Sequence, residues 1–171
     1  DDPRFTAGLI IAAPVENPLF PGVAVANIGE PMLFLVAQED NSIGELGNIF
    51  MRLNFGAAVS PAWKVEIADA GHWSFSDLAG IVPQFNAGCG EGVRQTVPGE
   101  SFSYIDNALA RDITATYGMR FFASQLLDDE DAGQQVVHIR PGARVDRAAE
   151  HEDEQQHEAD RHDRRRDDRV E

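Results

Sequence analysis

The chain has 171 residues, 43% of them hydrophobic, enough to bury one sizeable core and too apolar for a wholly disordered protein. Its 29 Asp and Glu against 14 Lys and Arg give a formal charge of −15, which argues against contact with nucleic-acid phosphates or an anionic membrane. No apolar run approaches the roughly 20 residues that a membrane-spanning helix needs.

The chain opens Asp1-Asp2-Pro3-Arg4, with neither an initiator methionine nor a signal-peptide pattern, and reads as part of a longer polypeptide. Residues 6–13 form a continuous apolar run that Pro14 ends. Residues 32–37 form a second, preceded by Pro31 and followed by the polar Gln38-Glu39-Asp40-Asn41. Runs that are apolar on both faces suit strands of a parallel sheet with helices covering both sides. Residues 63–68 alternate instead, which places a third strand nearer the sheet edge. Between the second and third strands, Leu46, Ile49, Phe50 and Leu53 recur at helical spacing, as a crossover helix over residues 42–55 requires.

Residues 81–99 are rich in Gly and Pro and read as a surface segment. A long helix is expected over residues 100–127, with a stripe of Ile105, Leu109, Ile113, Met119, Phe122 and Leu126 interrupted by Gly118. The fold class expected is therefore α/β: about three parallel strands with flanking helices over residues 1–140.

Beyond Pro141-Gly142 the chain consists almost wholly of Asp, Glu, Arg, His, Gln and Ala. Such a segment has nothing to bury against the entropy of ordering, so residues 141–171 are expected to be a disordered charged tail. His151, His157 and His162 within it lack metal-ligand spacing, and no metal or other cofactor is expected. Cys89 is the only cysteine and forms no internal disulfide; a secreted or periplasmic setting stays open. His138 is read as exposed.

In open parallel sheets, ligands gather at the carboxyl ends of the strands. The second strand delivers Glu39, Asp40 and Asn41 to that edge, and the third delivers Asp69, Ala70, Gly71 and His72. A carboxylate that accepts the Nδ1 proton of an imidazole orients the ring and stabilises the imidazolium formed when Nε2 takes a proton. Gly71 is expected to let the backbone turn there. Against these readings, His72 can be a structural loop histidine, and Asp40 can be a turn or cap residue. Ser74 and Ser76 read as caps of a short helix with Asp77 in its first turn. Trp73 and Phe75 read as packing beside the site.

The segments VAQEDN and DAGHWSFSDL, with the His-x-x-Phe-x-Asp pattern of His72, Phe75 and Asp77, are followed by Cys89-Gly90 and a long helix. Together, over roughly residues 5 to 130, they resemble the C-terminal part of an α/β-hydrolase, nearest the dienelactone hydrolase and platelet-activating-factor acetylhydrolase branch. The resemblance implies His72 as the catalytic histidine and Asp40 as its acid, with Glu39 a neighbouring alternative and Asp69 a third. In the mammalian acetylhydrolases the acid follows an earlier strand, where this chain has Ala12-Ala13, so Asp40 stands in its place. It further implies a serine hydrolase acting on a small-molecule or lipid carboxylic ester through an acyl-enzyme.

None of the seven serines stands in the Gly-x-Ser-x-Gly turn that carries the family's nucleophile, which comes before the acid and histidine in chain order. The nucleophile is accordingly expected upstream of Asp1, leaving this chain inactive alone. The competing expectation is a non-catalytic acidic α/β module for binding or interaction, in which the Asp and His are incidental.

Overall fold

The second apolar run forms β2 (Met32–Ala37), the centre of the sheet, with all six residues buried. The computed structural model describes residues 4–13, 25–78, 88–136 and 143–147. In chain order the other elements are β1 (Gly8–Ile11), α1 (Gly44–Ala57), β3 (Ala62–Ile67), β4 (Glu91–Val93), β5 (Ser101–Ser103), α2 (Asn107–Leu126), α3 (Glu130–Val136) and β6 (Ala143–Arg147). Single 3-10 turns lie at Val25–Asn27 and His72–Phe75.

The main sheet has the order β1-β2-β3-β6. β1 pairs parallel with β2, Leu9 opposite Leu33, and β2 pairs parallel with β3, Leu35 opposite Val65. The α/β class is thus present: a parallel three-stranded sheet with helices on both faces. The period of two along β2 splits the core. Leu33, Leu35 and Ala37 pack with Ile113, Tyr117 and Phe121 of α2, while Met32, Phe34 and Val36 pack with Met51 of α1. Trp63 of β3 meets Phe121 edge-on, ring centroids 5.6 Å apart.

Several local expectations are corrected. β3 is an interior strand, because β6 pairs antiparallel along its outer side, Val65 opposite Val145. Its charged residues are tolerated inside because they are neutralised under α1. Lys64 Nζ lies 3.0 Å from Glu66, Arg52 Nε lies 3.1 Å from the same carboxylate, and Lys64 sits over the Phe55 ring. The same pairing changes the tail: residues 143–147 are a strand, since an extended backbone satisfies the free hydrogen-bonding groups of β3. The rest of the expected tail, with its histidines, lies outside the described residues, as does His138.

The long helix begins at Asn107, where the Asp106 side chain accepts from the Leu109 N–H at 3.0 Å. Residues 101–103 belong instead to a β4–β5 hairpin, so the segment before Gly99 is partly ordered as a strand. α2 runs through Gly118 without a break, and its buried stripe is Ala110, Ile113, Tyr117, Gly118 and Phe121. Met119 and Leu126 face outward, 72% and 50% exposed. α1 is likewise turned: Asn48, Met51 and Asn54 face the sheet, and Leu46, Ile49 and Leu53 face solvent. Asn48 suits the inward side because its amide donates to the Ala37 and Gln38 carbonyls at 2.9 and 3.2 Å.

Candidate active site

Because β2 and β3 run parallel in register, their carboxyl ends deliver both polar loops to one edge of the sheet. The ladder continues past the strands: the Gln38 N–H donates to the Ile67 carbonyl at 3.2 Å, and the Glu39 N–H to the Ala70 carbonyl at 2.9 Å. Asp40 is fully buried. Its Oδ1 accepts the Ser42 and Ile43 N–H groups at 2.9 and 3.1 Å, in the turn that leads into α1. Its Oδ2 lies 2.9 Å from His72 Nδ1. The turn-forming and the histidine-orienting readings of Asp40 are therefore compatible, one for each oxygen, while α1 itself has no side-chain cap.

A carboxylate only accepts, so this contact favours the tautomer with the proton on Nδ1 and Nε2 left as the acceptor. Among the described residues nothing hydrogen-bonds Nε2. The imidazole keeps about a quarter of its surface exposed, 26%, and Trp73 meets it edge-on at 4.9 Å between centroids. Phe75 packs on the core face shared with α2.

The His72 loop is shaped differently from expectation. Gly71 has φ −101°, open to any residue, and the left-handed position is Asp69 at φ 57°. Gly71 is required for close approach. A Cβ there would meet Gly88 Cα and Tyr104 Cε1, each at 2.7 Å. Gly88, at φ 143°, presses in turn on the backbone of Trp73 and Ser74. Ser74 closes this contact: its hydroxyl donates to the Gly88 carbonyl at 2.7 Å and accepts the Gly71 N–H at 2.9 Å. Ser74 is buried inside the 3-10 turn, engaged on both sides. Ser76 donates to the Trp73 carbonyl and accepts the Leu78 N–H, while Asp77 pairs with Arg111 on the surface.

Glu39 and Asp69, the two other carboxylates considered for His72, turn to Arg94 instead. Arg94 Nη1 lies 3.0 Å from Glu39 and 2.8 Å from Asp69, and Nε lies 2.6 Å from Glu100. The three carboxylates, Asp69 foremost, hold the guanidinium well above its ordinary value. Asn41 donates to the Tyr104 hydroxyl. Burial pushes the Tyr104 phenol up, as do the charges of Glu39, Asp40 and Cys89, against the lowering effect of the Asn41 bond.

Sequence reasoning missed Arg94 and Tyr104. One signal for the arginine exists: it is the sole Lys or Arg between Lys64 and Arg111 in a strongly acidic chain. Among the described residues no three His, Cys, Asp or Glu side chains are grouped to hold a metal ion, and no helix is long and apolar enough to cross a membrane. No protein-family model and no curated protein matches the chain.

Proposed function

We propose that this chain carries the acid and the general base of a serine hydrolase acting on carboxylic esters, in the manner of the α/β-hydrolases. The supporting observation is the 2.9 Å contact from a buried Asp40 oxygen to His72 Nδ1. It leaves a partly exposed imidazole, with Nε2 as its second nitrogen, at the carboxyl edge of a parallel sheet, where ligands of such sheets collect.

In the proposed cycle, His72 Nε2 takes the proton of a serine hydroxyl as that oxygen adds to the ester carbonyl. The imidazolium, stabilised by Asp40, then returns the proton to the departing alcohol, leaving an acyl-enzyme. Water repeats the sequence: Nε2 removes its proton, the acyl–oxygen bond breaks, and the proton passes to the serine. The nucleophile is a serine outside the described residues. On the far side of β1 no described strand pairs, and a further parallel strand there would end on the same edge as Asp40 and His72.

Kinetics with p-nitrophenyl acyl esters, using the protein expressed from its complete reading frame, test the proposal. Hydrolysis and fluorophosphonate labelling of a serine outside residues 1–171 are expected, with His72→Ala lowering kcat by on the order of 10⁴-fold or more. Absence of hydrolysis, undiminished rates in His72→Ala, or labelling of a serine within residues 1–171 would overturn it.

A further inference from the structure

We propose that Arg94 is the positioning residue of the Asp40–His72 pair: a strut from the β4–β5 hairpin that ties the loop after β2 to the loop after β3. Glu39 is the immediate neighbour of Asp40, and Asp69 stands three residues before His72. A single nitrogen, Arg94 Nη1, bonds both carboxylates, at 3.0 and 2.8 Å. The strut is itself held. Arg94 Nε donates to Glu100 at 2.6 Å, its backbone N–H donates to the Glu100 carbonyl at 2.9 Å, and its guanidinium lies 4.8 Å from the Phe102 ring centroid. The next residue, Gln95, gives its N–H to the second Glu39 oxygen at 3.0 Å.

Charge explains why these loops need a strut. Glu39, Asp40 and Asp69 crowd one end of the sheet, and Glu39 and Asp40 are almost wholly buried. Like charges so placed repel, and a buried carboxylate without a cation is strongly unfavourable. With Arg94 absent, Glu39 and Asp69 would lose the one side chain that bonds both of them. With Arg94 present, Glu39 and Asp69 are occupied, and Asp40 alone faces the imidazole. The arginine thereby sets both the spacing of the pair and the identity of its acid. It touches neither Nε2 nor the reacting atoms.

The inference rests on His72 and Asp40 working as a pair, but its test does not depend on ester hydrolysis. The Nδ1–H proton of His72 is followed by NMR in the 171-residue chain, where a carboxylate-bound imidazole gives a downfield signal that Asp40→Asn removes. In Arg94→Gln that signal is expected to move upfield and exchange faster with water. In the full-reading-frame protein, kcat is expected to fall by up to about 100-fold with KM unchanged, the size of effect that misplacing a catalytic group produces. Should Arg94→Gln fail to fold because Glu39 is left without a counter-ion, the triple variant Glu39→Gln/Asp69→Asn/Arg94→Gln removes that burden and also the strut. The same loss of signal is expected there. A His72 signal unchanged in position and exchange rate in a folded variant overturns the role of Arg94. If the signal responds to Arg94 while no ester is hydrolysed, the strut stands and the proposed function fails.

Discussion

One carboxylate oxygen of Asp40 holds His72 Nδ1 at 2.9 Å while the other accepts two N–H groups of the turn before α1. The position of the acid is thus fixed by the turn, and the ring is fixed by the acid. Asp40→Ala removes both functions and leaves buried donors unmatched, so a loss of about 2–3 kcal/mol in urea unfolding is expected. His72→Ala, at a partly exposed ring, is expected to cost no more than about 1 kcal/mol. Equal losses for the two would contradict the division of labour between the oxygens.

Gly71 and Gly88 approach too closely for a side chain on either. Gly71→Ala is expected to destabilise by about 1–3 kcal/mol, since the new methyl meets backbone and a buried phenol ring that cannot recede. Gly29→Ala, with open space around it, serves as the control and is expected to be neutral or slightly stabilising. Thermal unfolding of the two variants checks both.

Beneath α1, burial of Glu66 opposes its ionisation, but hydrogen bonds from Arg52 and Lys64 outweigh that and hold its carboxyl below the ordinary 4.5. A carboxyl lowered on folding adds stability that is complete above its unfolded value and is lost as pH falls through its folded value. The melting temperature is therefore expected to drop on acidification below about pH 4.5. Glu66→Gln should show a shallower drop over that range. An unchanged acid profile in that variant would remove Glu66 from the account.

Leu46, Ile49 and Leu53 line the outer face of α1, 60%, 43% and 48% exposed. Replacing each with Lys is expected to leave stability within about 0.5 kcal/mol, because no core contact is lost. Self-association at high concentration, read by light scattering, should fall. No described strand pairs along the outer side of β1, a second place where copies can meet, so self-association should lessen without vanishing.

Those same residues show where sequence patterns fail. Strands β1 and β2 were legible because continuous apolar runs leave few alternatives, and the delivery of Asp40 and His72 to one edge followed from parallel pairing. The helix faces were not. Leu46, Ile49 and Leu53 looked like an inward stripe, yet the inward side holds Asn48, whose amide matches carbonyls at the end of β2 better than leucine would. In α2 the small Ala110 and Gly118 face the sheet, displacing the larger Met119 and Leu126 outward. The Lys64–Glu66 alternation signalled an edge only because the neutralising Arg52 comes from another element. The role of Arg94 was hidden for a similar reason: Glu39 and Asp69, the two carboxylates it joins, stand 55 and 25 residues away.

The most direct test of the Asp40–His72 pair is the tautomer of His72, read from the ¹⁵N shifts of its two ring nitrogens at neutral pH. Nitrogen Nδ1 protonated and Nε2 bare, with that preference lost in Asp40→Asn, is the expected result. A ring protonated on Nε2 in the unaltered chain, or one indifferent to Asp40→Asn, would contradict a histidine prepared to accept a proton.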